Sequence, residues 1–156
     1  MTQTIVRRAR LEDRDRLADL RAMLWPEGSR DEHGAELDGW FATGRNGTLA
    51  EANFVAEIEG DLAGFVQVGL RSHAEGCDAS RPVGYIEGWF VREEFRGRRV
   101  GRELLRAAEE WARGQRCREI ASDARMDNED SVRAHAACGY EEVERAVHFR
   151  KRLDEE

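Results

Sequence analysis

The sequence predicts an α+β fold, a mixed sheet flanked by helices within a single domain spanning residues 1–156. Three observations carry this. Apolar residues run at strand spacing over 54–58, 62–70 and 83–91. They run at helix spacing at Leu17, Leu20 and Leu24 and again from Val100 to Ala112. The order of these segments reads βααβββαβαββ, with no linker, repeat or low-complexity stretch between them.

Each element has a local reason. Residues 4–8 form a first strand, and Asp13 precedes the first helix as a candidate cap. Trp25-Pro26-Glu27-Gly28 ends that helix, because proline and glycine oppose its continuation. A second helix covers Glu32 to Ala42 and stops at the Gly44–Gly47 turn. Phe54–Ile58 and Leu62–Leu70 pair as a hairpin around Glu59-Gly60-Asp61, followed by a polar loop, 71–82, long enough to serve a substrate. Val83–Val91 is a strand, and the helix Val100–Gly114 gathers Val100, Leu104, Ala108, Trp111 and Ala112 on one face. A short strand at Arg118–Ser122 and a helix at Asn128–Ala137 follow. Two last strands at Glu141–Glu144 and Ala146–Leu153 lead to a solvated tail, Asp154-Glu155-Glu156.

Composition narrows the function. Charged residues are 37% and hydrophobic ones 40%, no run approaches a membrane span, and the N-terminus lacks a signal-peptide core, so a cytoplasmic address is expected. The net charge of −7 argues against nucleic acid and suits a cationic substrate. Cys77, Cys117 and Cys138 are odd in number and lack metal spacing, as do the four histidines; thiols and no metal are expected.

The chemistry concentrates where the strand ending at Val91 meets the helix beginning at Val100. Between them, Arg96-Gly97-Arg98-Arg99-Val100-Gly101-Arg102 is a basic, glycine-bearing loop opening into a helix. Helix N-termini carry unpaired N–H groups and partial positive charge, and arginine stays charged at neutral pH, so the loop reads as a pyrophosphate site. Glu87 is a carboxylate in an otherwise apolar strand, which is costly unless it faces a cleft or a partner. Asp123 ends the short strand 118–122, where such sheets open onto ligands.

This loop resembles the acetyl-CoA motif of the GNAT (Gcn5-related N-acetyltransferase) superfamily, Gln/Arg-x-x-Gly-x-Gly/Ala, with Arg99 in place of the internal glycine. Asn128-x-x-Ser131-x-x-x-His135-x-x-x-Gly139-Tyr140 is similar to that family's later cofactor helix. Further segments, among them Leu24-Trp25-Pro26, Glu75-Gly76-Cys77-Asp78, Ile86-Glu87-Gly88-Trp89-Phe90-Val91 and Gly139-Tyr140-Glu141-Glu142, look like the type I aminoglycoside 6'-N-acetyltransferases.

The resemblance implies a sheet of six to seven strands with four helices, and acetyl transfer from acetyl-CoA to an aminoglycoside 6'-amine. It places the pantetheine arm along Trp89, Phe90 and Val91, with the N–H of Val91 or a neighbour polarising the thioester carbonyl. Asn128 bonds the pantetheine or caps its helix. Substrate contacts fall on Trp25, His73, Glu87, Asp123 and Glu144. Glu87, or Asp123 through a water, takes the amine proton; His135, with Tyr140 as fallback, protonates the thiolate. Relatives of this kind are often dimers, so a homodimer is expected. Two rivals stay open: a GNAT enzyme of another small amine or polyamine, and a non-catalytic CoA-binding sensor.

Overall fold

The computed structural model describes residues 3–154, in two compact units that divide after Asp123; Glu155 and Glu156 of the expected tail lie outside the described residues. The first unit contains β1 (Thr4–Arg8), α1 (Arg14–Leu24), α2 (Arg30–Thr43), β2 (Arg45–Asn46), β3 (Leu49–Ile58), β4 (Asp61–Arg71), β5 (Val83–Val91), α3 (Val100–Gly114) and β6 (Ile120–Ser122). The second contains α4 (Glu129–Ala137). The sheet runs β1-β3-β4-β5-β6, with β2 paired to β3; every pairing is antiparallel except β5 with β6.

Strand alternation assigns the two faces. Phe65 packs with Leu17, Leu20, Leu37 and Trp40, so α1 and α2 cover one side. The neighbouring Gly64 points the other way. A Cβ there would stand 3.3 Å from Leu104 of α3, and one on Gly84 would stand 2.8 Å from Ala112. Glycine at both positions lets α3 lie close to the sheet.

Helix ends follow local chemistry. Ser29 accepts the N–H of Glu32 at 3.0 Å and starts α2, and Gly44 ends it in the left-handed region at φ 68°. Asp13 does not cap α1 with its side chain. It is buried and forked by Arg7 at 2.7 and 3.0 Å, and it accepts the Arg10 N–H at 2.7 Å. Most predicted boundaries shift by a few residues, and β2 was not legible at all. The two C-terminal strands are corrected: residues 140–152 carry no regular secondary structure. Val143, Val147, Phe149 and Leu153, the apolar residues of the expected strands, are 63–92% exposed. A strand needs a ladder partner, and this segment has none assigned among the described residues.

Candidate active site

The site is built on a defect in β5. Gln67 pairs with Gly88 and Val68 with Ile86, which leaves Glu87 as the extra residue of a β-bulge. A bulge frees its residue from the ladder and re-aims the side chain. On the opposite edge, β6 pairs with β5 only at Gly84, Tyr85 and Ile86. From Glu87 to Val91 no strand is paired to that edge among the described residues. The Phe90 carbonyl faces β4, lying 2.4 Å from where a Gly64 Cβ would stand. Alternation therefore turns the N–H and C=O of Val91 away from β4. The Arg96 guanidinium takes that carbonyl, Nε to O at 2.8 Å.

The basic loop continues from there. Gly97 is at φ 80°, and Arg99 occupies the left-handed region at φ 63°, ψ 13°, as the residue preceding α3. This is the conformation that glycine adopts without strain, so the arginine at the motif's internal position keeps the loop's shape at a conformational cost. The Trp89 indole N–H donates to the Gly101 carbonyl at 3.1 Å and ties strand to helix start. Arg98, Arg99 and Arg102 are exposed around the first turn of α3, while Val100 is buried and anchors it.

Two carboxylates lie on the same unit. Both Glu87 oxygens are held by Arg71, Nη2 to Oε1 at 2.7 Å and Nε to Oε2 at 2.9 Å. The same guanidinium stacks on Tyr85, 3.5 Å from the ring centre, and the Tyr85 hydroxyl donates to Asp123 at 2.6 Å. Arg71's pKa is raised, first by the hydrogen bond to Glu87, with the charges of Glu87 and Asp123 adding to it. Tyr85 is pushed well above its ordinary value by burial and then by Asp123, so its hydroxyl remains a donor.

Trp25 borders this group. Its ring lies over Gly88, where a Cβ would come within 2.4 Å of the indole, and packs edge-on to Phe65 with centroids 6.0 Å apart. Behind it, buried Arg21 stacks at 5.6 Å and donates to Gln67, whose amide reaches Glu51 at 2.8 Å. His73 is exposed on the 71–82 loop, 3.5 Å from Glu75. That loop is pinned where the Asp78 N–H donates to Glu119 at 2.8 Å.

An acetyltransferase (GNAT) family model matches residues 14–140. The chain belongs to the GNAT acetyltransferase family. Among curated GNAT relatives, the aminoglycoside N(6')-acetyltransferase type 1 of Stenotrophomonas maltophilia is 38% identical over 96% of this chain and 94% of its own length. The enzyme of the same name from Klebsiella aerogenes is 36% identical, covering 96% and 97%. Among solved structures, AAC(6')-Iy with the bisubstrate analogue CoA-S-monomethyl-acetylneamine superposes at a TM-score of 0.87 with 34% identity, over 97% of this chain and 99% of that one.

The later GNAT motif falls in the second unit. Asn128 caps α4, its Oδ1 accepting the Ser131 N–H at 3.1 Å. His135 bonds the Ser131 carbonyl through Nδ1 at 2.7 Å and meets Tyr140 edge-on at 5.7 Å. A carbonyl can only accept, so Nδ1 carries the proton in this contact and Nε2 is left for another partner. Glu144 is exposed on the irregular segment after Gly139. Sequence reasoning thus selected Glu87, Asp123 and Trp25 together, but missed Arg71, Tyr85 and Arg21. The missed signal was a charged residue ending β4, whose antiparallel neighbour β5 carries the carboxylate.

Proposed function

We propose that this chain is an aminoglycoside 6'-N-acetyltransferase, acetylating the 6'-amine of these antibiotics with acetyl-CoA and so conferring resistance. The observation that carries the reading is the stretch of β5 beyond its last pair with β6, Glu87 to Val91, with two carboxylates at one end and the arginine loop at the other. Relatives bearing this activity in their names align along nearly the whole chain. We read residues 1–156 as one catalytic domain, as a family match running from 14 to 140 supports.

The donor set suits acetyl-CoA. Arg98, Arg99, Arg102 and the first-turn N–H groups of α3 hold the pyrophosphate, with Gly97, Val100 and Gly101 shaping the turn and Arg96 closing it against Val91. The backbone of Trp89, Phe90 and Val91 accompanies the pantetheine, joined by Asn128. When bound, acetyl-CoA supplies an acetyl group activated as a thioester. The Val91 N–H offers a hydrogen bond to the carbonyl oxygen as charge develops there.

The acceptor side is anionic. Glu87, Asp123 and Glu144 draw the ammonium groups of the drug, Trp25 gives an apolar wall, and His73 closes from the loop. Glu87 accepts the amine proton, directly or through a water, with Asp123 as the second base. His135 returns a proton to the departing thiolate when Nε2 is protonated. Burial raises the Cys77 and Cys117 thiols above their ordinary value, which supports direct transfer without an acetyl-cysteine.

Glu87→Gln tests the base. A fall in kcat of two orders of magnitude or so, with acetyl-CoA affinity retained, is expected; an unchanged turnover at every pH would refute it. We also infer a homodimer, because exposed Val143, Val147, Phe149 and Leu153 present apolar surface that a second copy would cover. Free thiols at Cys77, Cys117 and Cys138 suit a cytoplasmic enzyme. Among the described residues no His, Cys, Asp and Glu group is arranged to hold a metal ion, and no helix is long and apolar enough to cross a membrane.

A further inference from the structure

We infer that Arg71 is a resident cation of the acceptor cleft, an internal stand-in for the substrate ammonium that must leave before Glu87 can act. The inference rests on the reading of Glu87 as an acceptor carboxylate. Three contacts fix it. The guanidinium fork occupies both Glu87 oxygens, at 2.7 and 2.9 Å. The same group sits over the Tyr85 ring, 3.5 Å from its centre, and the Tyr85 hydroxyl donates to Asp123 at 2.6 Å. One positive charge is thereby held at the carboxylate pair that a cationic amine would seek.

Chemistry gives this a direction. With both Glu87 oxygens engaged by the guanidinium, an incoming amine meets the carboxylate already occupied, and the arginine never loses its charge near neutral pH. The fork is accessible and reversible: the Arg71 and Glu87 side chains are 44% and 28% exposed. Pairs this exposed are weak, so a multiply charged amine can displace the guanidinium. Displacement frees Glu87 only when an acceptor has arrived. The displaced Arg71 remains at the rim, and it repels an acceptor in proportion to that acceptor's charge. Arg71 therefore sets selectivity among amines as well as holding Glu87.

The test compares wild type, Arg71→Ser, Arg71→Lys and Glu87→Gln as full chains, by CoA release from acetyl-CoA. Acceptors are a polycationic kanamycin-type drug and a monocationic methyl 6-amino-6-deoxyglucoside, each at low and at ~0.5 M salt. Arg71→Ser should lower KM for the polycation by about fivefold at low salt, the equivalent of one weak ion pair. The gain should be smaller for the monoamine and shrink with salt. Arg71→Lys, which keeps the charge and loses the fork, should fall between. A KM that rises for both acceptors would make Arg71 a positioning residue for Glu87 and overturn the inference, as would an unchanged KM. Should wild type turn over the drug and Glu87→Gln impair it while Arg71→Ser gives no gain, the function stands and this inference alone falls. No turnover by wild type with either amine removes both.

Discussion

Arg99 offers a substitution whose outcome can be worked out from one dihedral pair. At φ 63°, ψ 13° it is in the left-handed region, just before α3. An L side chain there costs roughly 1–2 kcal/mol relative to the right-handed basin. Glycine removes that cost, but it loosens the unfolded chain by about 0.4–1 kcal/mol. Arg99→Gly should therefore stabilise the protein by a net ~0.5–1 kcal/mol. For a chain of this size that raises Tm by about 1–4 °C. Arg99→Ala keeps the conformational cost and should melt within about 0.5 kcal/mol of wild type, since the side chain is exposed. Calorimetric melts of the three proteins without ligand decide it. Equal Tm for the Gly and Ala variants, or a lower one for Gly, would refute the strain assignment. Acetyl-CoA titrations of the same variants separate charge from backbone: if the guanidinium meets phosphate, both weaken binding, more so at low salt.

Three further outcomes are expected. Burial would raise the Asp13 carboxyl, but the Arg7 fork, the Arg10 N–H and the Arg7 and Arg16 charges outweigh it and hold the pKa below its ordinary value. Its contribution is thus fully present above about pH 4 and lost as pH falls through the depressed value; Asp13→Asn should cost about 3 kcal/mol at pH 7, a difference that urea titrations find shrinking toward pH 3. Gly88→Ala puts a Cβ 2.4 Å from the Trp25 ring; it should raise acceptor KM and leave acetyl-CoA affinity alone in isothermal titration, at a stability cost of about 1–3 kcal/mol. Removal of residues 141–156 should convert a dimer to a monomer in light scattering; a full-length chain that is already monomeric at micromolar concentration contradicts the dimer.

The legible parts of this protein were those whose cause is local. Leu17, Leu20 and Leu24 mark α1 because a buried helix face repeats every three to four residues, and all three are packed as that period requires. The arginine loop was legible because its glycine and charges carry chemistry in themselves. Glu87 was singled out as a carboxylate in an apolar strand, but its partner was hidden. Arg71 stands opposite Val83, and it reaches residue 87 with an arginine stem laid over Tyr85, a reach along the strand that pairing alone does not specify. The reverse happened at 141–153. Apolar residues such as Val143, Val147 and Phe149 suit a strand, yet a strand is completed by its neighbour, which the segment itself does not specify. Arg21 and Gln67 were missed for the same reason: their meeting depends on how α1 lies across β4.

Acetyl transfer itself is the most direct test. Purified protein, acetyl-CoA and a kanamycin-type drug with a 6'-amine should release CoA and give a product acetylated at that nitrogen by mass spectrometry and NMR, whereas the 6'-hydroxyl counterpart gives none. Equal turnover of the two drugs, or acetylation at another amine, would contradict the 6' assignment. Tight acetyl-CoA binding with no turnover of any amine would contradict the enzyme.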